Sequence, residues 1–289
     1  MLLRRLFTMI ALIACSLVSA YTIAKPIYIV TAENFYANIA KQIGGQHVQV
    51  KSILSNPDEN PHLFEASPSV AKALSHAQIA IYSGAGYDDW MPKLLAEKTN
   101  LKPINVASLV AREPGDNPHI WYDLHTMLTL ALDLKYQLSQ QDPAHHFIYQ
   151  HNWQAFVKSI HPLLARIDKM RHKYAGTPVT ATEPVFGYMF AALGFKVRNL
   201  PFQMAVMNDT DPSISQVKHL ENDLIHQRVK FLLYNNQVSD PSTERLKNIA
   251  LKHHVPIVGA TETMPKGITY QQWITEELNS VQKVLSHHK

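Results

Sequence analysis

The sequence predicts an α/β protein of two lobes, each with a parallel sheet and flanking helices, joined by one long connecting helix. Three observations predict it. Short apolar runs of strand length alternate with amphipathic stretches of helix length through most of the chain, the pattern of parallel strands with helical crossovers. Between Asp142-Pro143 and Tyr174 that alternation stops: there is no glycine and one further proline, and Trp153, Phe156, Ile160, Leu163, Ile167, Met170 and Tyr174 recur at helical spacing over about six turns. A chain of 289 residues is also long enough for two units.

The elements follow in order. Arg4 and Arg5, the apolar run Leu6–Val18 and the small residues Val18-Ser19-Ala20 read as a secretory signal peptide over 1–20, too short for a membrane span. Leu12-Ile13-Ala14-Cys15 also reads as a permissive lipoprotein box, so lipid anchoring through Cys15 is the alternative to cleavage after Ala20. The first lobe, 21–141, starts with a buried strand at Pro26–Ala32 and a helix at Asn34–Ile43 closed by Gly44-Gly45. A strand at Val48–Leu54 precedes a helix at Pro68–Ser75, with Ser67 as N-cap and Pro68 in the first helical position. A strand at Gln78–Ser83, a helix at Trp90–Lys98 and a strand at Pro103–Val106 follow, and a helical pattern begins after Asp123. The connector is 142–174, with Pro162 a source of a kink. The second lobe, 175–289, has strands at Pro178–Ala181, Lys196–Leu200, Val229–Tyr234 and Val255–Val258. Its helices are Phe186–Leu193, a segment from Asp211 (as N-cap) to His226, Ser242–His253 and Tyr270–Leu285.

Composition excludes several classes. The formal charge is +4, and falls to +2 once Arg4 and Arg5 are removed, which is not the balance of a nucleic-acid binder. Cys15 is the only cysteine, so the folded lobes contain no disulfide, thiolate metal site or cysteine nucleophile; an exported chain of this size holds its fold by its core. There is no P-loop, HExxH or GxSxG motif. Ser83-Gly84-Ala85-Gly86 follows a strand like a dinucleotide loop, but Asp89 stands where its third glycine belongs.

One pattern occurs twice: Asn60-Pro61-His62-Leu63-Phe64 and Asn117-Pro118-His119-Ile120-Trp121. Proline makes a stiff, non-helical tether for the histidine, and the apolar and aromatic residues form an anchor behind it. With 17 prolines and 16 histidines an isolated Pro-His pair is ordinary; the shared asparagine and apolar–aromatic tail mark the echo. Ligands of open α/β sheets bind beyond the carboxyl ends of the strands. His62 and His119 follow strands of the first lobe there, and Glu183 and Glu262 follow strands of the second. Two neutral imidazoles and two carboxylates would balance a divalent cation. Each has a plainer reading: a surface histidine, an acid at a helix N-terminus for Glu183, or a solvated loop for Glu262, which could present Thr261 or Thr263 instead. Asp123 reads as a helix N-cap or as an acceptor orienting a ligand, with the cap favoured. The pairs His145-His146, His253-His254 and His287-His288 read as solvated faces or weak surface metal binders.

The stretch from Asn60 through Pro-His-Leu-Phe-Glu-Ala-Ser-Pro to Ser69, then Ala77-Gln-Ile-Ala-Ile-Tyr-Ser-Gly84 and Trp90, resembles the solute-binding proteins of zinc and manganese ABC importers, the metal-binding cluster A-I family. So do Asn117-Pro-His-Ile-Trp-Tyr-Asp123, Thr182-Glu-Pro-Val-Phe-Gly-Tyr188 and Gly259-Ala-Thr-Glu262. The motifs stand in family order over nearly the whole mature chain. The resemblance implies two α/β lobes with the metal between them, His62, His119, Glu183 and Glu262 as its ligands, and delivery to an inner-membrane permease driven by a cytoplasmic ATPase. Two positions depart from many zinc members: Glu183 stands where histidine is common, which looks more like manganese or iron members, and Glu262 where aspartate is common. A His-rich loop is missing, since Ala111–Asp116 is short and lacks histidine.

The expectation is therefore a monomeric periplasmic binding protein, not an enzyme, that carries Zn2+ in preference to Mn2+, with iron behind both. Four protein ligands leave no open position for an activated water. The rivals are an exported zinc-dependent hydrolase and a carrier of a non-metal solute on the same scaffold, with a surface adhesin as a weaker third.

Overall fold

The computed structural model describes residues 25–56, 61–96, 101–238 and 241–286, apart from the side chain of His62. The signal-peptide segment, Cys15, Asn60 and His287-His288 lie outside the described residues. Among the described residues no helix is long and apolar enough to cross a membrane.

The first lobe runs β1 (Ile27–Glu33), α1 (Asn34–Gly44), β2 (Val48–Leu54), α2 (Pro68–His76), β3 (Ile79–Tyr82), α3 (Trp90–Leu95), β4 (Lys102–Asn105), α4 (Val106–Leu109) and α5 (Leu124–Gln141). The connector α6 spans His146–Tyr174. The second lobe runs β5 (Pro178–Ala181), α7 (Gly187–Ala192), β6 (Lys196–Val197), α8 (Leu200–Met207), α9 (Ile214–Ile225), β7 (Leu232–Asn235), α10 (Pro241–Lys252), β8 (Ile257–Ala260) and α11 (Tyr270–Ser286).

Each lobe carries one four-stranded sheet, ordered β2-β1-β3-β4 and β6-β5-β7-β8, and every pairing is parallel. The two sheets thus share one topology, whose strand order reverses between β1 and β3 and between β5 and β7. Such a switch point opens a crevice at the carboxyl ends of the strands. Side-chain alternation sends each strand into two cores. Ile27, Ile29, Ile79 and Ile81 face inward, whereas Val30, Ala32, Ala80 and Tyr82 pack outward on Val70, Leu74 and Met91. In the second sheet Val179, Ala181, Leu233, Val258 and Ala260 face inward, whereas Leu232 packs outward with Phe202, Leu220, Leu224 and Leu246. The two inward faces belong to one continuous core, filled between them by α1, α5, α6, α7 and α11.

The connector has 29 residues, about 43 Å of helix. Its expected stripe is the buried one: Phe156, Ile160, Leu163, Ile167 and Met170 are in the core and Trp153 and Tyr174 pack at its edge. Three expectations shift. The strand expected at Lys196–Leu200 ends at Val197, because Asn199 turns left-handed (φ 59°) and starts α8, with Pro201 in its first turn. Helix α9 is capped by Ser213 and not Asp211: Ser213 Oγ accepts from Gln216 N while the Gln216 side chain accepts from Ser213 N, a reciprocal capping box. The Asp142-Pro143 segment forms a separate 3-10 turn, so α6 starts at His146.

Candidate metal centre

His119 lies on the loop between α4 and α5 and is fully buried. Asn117 Oδ1 accepts from the His119 backbone N–H at 3.1 Å and from Nδ1 at 2.6 Å. Nδ1 is therefore the protonated nitrogen, and Nε2 carries the free lone pair. Nε2 is buried, has no hydrogen-bond partner among the described residues, and faces Glu262 Oε2 at 3.4 Å. Donors each about 2.0–2.1 Å from one tetrahedral ion lie roughly 3.3–3.4 Å apart, so this pair is already at chelating distance. The Asn117 amide is oriented from its other end, where Nδ2 donates to Pro184 O at 2.7 Å. Gly187 makes room for it, since a Cβ there would stand 2.6 Å from Asn117 Nδ2. Trp121 and Tyr87 meet the imidazole edge-on and close it off from water.

The second lobe supplies two carboxylates. Glu183 stands two residues past the end of β5, in extended backbone, and the turn Pro184–Phe186 carries the chain away from it. Glu262 follows β8; its backbone N–H and that of Thr263 both donate to Gln237 Oε1, at 2.5 and 2.8 Å. Asn235 ends β7 between them, and its Nδ2 donates to Glu183 Oε2 at 2.7 Å and to Glu262 Oε1 at 2.6 Å. One amide thus spaces two buried carboxylates whose mutual repulsion a bound cation would relieve. Thr263 Oγ1 accepts from Gln237 Nε2 and the Thr261 carbonyl accepts from Tyr122 Oη, which fixes the backbone on either side of Glu262.

The structure brings His119, Glu183 and Glu262 together through these contacts. The backbone of His62 lies in the turn Pro61–Leu63, but its side chain is outside the described residues. The anchors behind the two histidines differ. Ile120 and Trp121 are fully buried, whereas Leu63 is 78% exposed and only Phe64 packs, against Trp90. Asp123 is the N-cap of α5, accepting from His125 N and Thr126 Oγ1.

Sequence reasoning missed Asn235 and Gln237, because β7 was expected to end at Tyr234 and the contacts of both are tertiary. It also missed an acidic layer at the switch point of the first sheet. Glu33 ends β1; Ser83 Oγ donates to it at 3.3 Å, and Asp88 accepts from Ser83 N and Gly84 N at 2.6 and 2.8 Å. The glycine-containing loop after β3 therefore wraps an internal carboxylate and not a phosphate. Burial, and then the charge of Asp88, pushes Glu33 well above the ordinary carboxylate range, and burial pushes Asp88 up to about 6. Burial followed by the charges of Glu262 and Glu33 raises the Tyr87 phenol, which stays protonated between the two acidic groups.

Hydrogen bonds to backbone carbonyls tie the two lobes around the centre. Tyr122 Oη donates to Thr261 O, Tyr188 Oη to Asn117 O and Tyr270 Oη to Trp121 O, each at 2.6 Å. Asn34 pairs with the backbone of Met264 at 2.7 and 3.0 Å.

Comparison with known proteins agrees with this architecture. The family described as ZnuA, zinc-uptake complex component A periplasmic, matches residues 29–284. The manganese-binding lipoprotein MntA of Bacillus subtilis is 27% identical over 305 residues, covering 97% of each chain. Among solved structures, the periplasmic zinc binding protein TroA from Treponema pallidum superimposes with a TM-score of 0.77 at 18% identity, covering 91% of this chain and all of the other. A manganese-bound periplasmic metal binding protein from Candidatus Liberibacter asiaticus gives 0.72 at 19% identity, covering 89% of this chain and 99% of the other.

Proposed function

The chain belongs to the ZnuA family of zinc-uptake components, and from that premise we propose that it is an extracytoplasmic binding protein that captures a divalent transition ion and hands it to the permease of an ABC importer with its cytoplasmic ATPase. The proposed ligands are His62, His119, Glu183 and Glu262, with 21–141 and 175–289 as the two lobes and 142–174 between them. The observation that carries this reading is His119: a fully buried imidazole whose tautomer is set by Asn117 and whose Nε2 has no hydrogen-bond partner among the described residues but faces a carboxylate at 3.4 Å. Such an atom suits a metal better than it suits packing.

Export by cleavage after Ala20, or anchoring through Cys15, delivers the chain to the compartment where such capture occurs. It acts as a monomer. Zinc is the favoured cargo over manganese, because two imidazoles retain the ordinary affinity order while two carboxylates only narrow it. Four protein donors complete a tetrahedral shell and leave no site for an activated water, so the role is binding and not hydrolysis.

The test is a competition titration of the untagged chain with zinc and with manganese against a chelator of known affinity. Zinc is expected to bind more tightly than manganese, and His119→Ala to weaken zinc by at least roughly 100-fold. Equal zinc affinity in His119→Ala and wild type would remove the centre as drawn; tighter manganese binding would reverse the cargo order alone.

A further inference from the structure

A second group of ligand-type side chains lies at the other end of the first lobe. His47 closes the turn Gly45–His47 that feeds into β2, so it sits at the amino edge of the sheet, whereas the centre above lies beyond the carboxyl edges. Asp142 and His145 come from the corner between α5 and α6. One donor atom from each of the three lies within 4.8 Å of the others. We propose that His47, Asp142 and His145 form an auxiliary site for a zinc-like divalent ion, separate from the transport centre.

Four observations carry it. Two imidazoles and one carboxylate are a donor set for zinc and its late transition-metal neighbours, and a poor one for manganese. His47 Nε2 is buried and has no hydrogen-bond partner among the described residues. The His47 and His145 rings lie 3.8 Å apart and 27° from parallel, so the turn before β2 and the α5–α6 corner bring two imidazoles side by side. Asp142 is held ready: its Oδ2 accepts from His145 Nδ1 at 2.6 Å and from Tyr149 Oη at 2.7 Å.

The corner is braced independently of any ion, since Asn152 Nδ2 on α6 donates to Ile43 O near the end of α1 at 2.9 Å. Donors around one ion are roughly 3.3–3.4 Å apart, so an ion would draw the three side chains closer and take the place of the proton between His145 and Asp142. Three protein donors leave at least one position to water. It would pin the start of β2 to the α5–α6 corner.

The experiment is equilibrium dialysis of the untagged chain against zinc chloride and, separately, manganese chloride, with elemental analysis of bound metal. His47→Ala and, as a milder change, Asp142→Asn are each expected to lose about one equivalent of zinc relative to wild type and no manganese. His119→Ala is expected to retain the equivalent that His47→Ala loses, which separates this site from the transport centre. Far-UV circular dichroism establishes that each variant is folded. Unchanged zinc stoichiometry in both His47→Ala and Asp142→Asn would overturn the proposal.

Discussion

At the proposed metal centre the decisive residues are those that orient the donors. Asn117 is a hinge of the whole arrangement: its side-chain oxygen fixes the His119 tautomer, its side-chain nitrogen reaches Pro184 O beside Glu183, and its carbonyl accepts from Tyr188. Asn117→Ala removes the acceptor from Nδ1, so the proton is free to move to Nε2 and compete with the metal. Loss of such an orienting partner typically weakens metal binding 10- to 100-fold, and a zinc titration of Asn117→Ala is expected to fall in that range. Gly187→Ala tests the same arrangement from the opposite side, because its methyl group must displace the Asn117 amide. It is expected to weaken zinc in the same direction without touching a proposed ligand. Zinc affinity unchanged in both variants would show that the tautomer is set some other way.

At the scale of elements, α11 carries a buried acid whose cost depends on pH. Glu277 lies within the inter-lobe core beside Trp273 and Leu278, and burial, with a further contribution from the charge of Glu276, pushes its carboxyl up to about 8. Its folded-state value lies above its unfolded one, so the folded protein holds an extra proton between about pH 4.5 and 8. Stability is therefore greatest below that window and declines as pH rises through it. Glu277→Gln keeps the shape of the neutral acid and removes the titration. Its stability relative to wild type is expected to improve by roughly 1.4 kcal/mol per pH unit across the window, measured by urea unfolding at two pH values inside it. A difference that does not change with pH would place the titration of Glu277 elsewhere. The same scale shows what the sequence made legible. Strands buried on both faces, such as Ile79–Tyr82, stand out as apolar runs, and the core stripe of α6 is visible in its spacing. Leu200–Met207 was not visible, because an apolar run beginning Leu-Pro extends a strand as readily as it starts a helix, and the left-handed Asn199 decides between them. At the proposed site, the positions of His119, Glu183 and Glu262 beyond the strand ends were legible, and the structure brings these three side chains together. Asn235 and Gln237 were not, because their work is to hold residues 25 to 52 positions away, a relation without a local signature.

For the whole molecule, the continuity of the inner core matters more than the division into lobes. Residues from both sheets and from α1, α5, α6, α7 and α11 belong to one buried cluster, and tyrosine and asparagine side chains cross between the lobes at the centre. A joint built this way has little freedom to open like a flexible hinge, and neither lobe can unfold without exposing apolar surface of the other. The expected consequence is a single cooperative unfolding transition despite two sheets and a chain of 289 residues. Urea curves followed by tryptophan fluorescence, which reports on Trp121 and Trp273 between the lobes together with Trp90 and Trp153, should coincide with curves followed by far-UV circular dichroism, which reports on helices throughout. Zinc at 100 times its dissociation constant should move both curves together by about 2.7 kcal/mol, because an ion held by donors from both lobes stabilises the unit they form. Two separated transitions, or a zinc effect confined to one probe, would mean that the lobes are energetically independent and that the cargo is gripped by one of them alone.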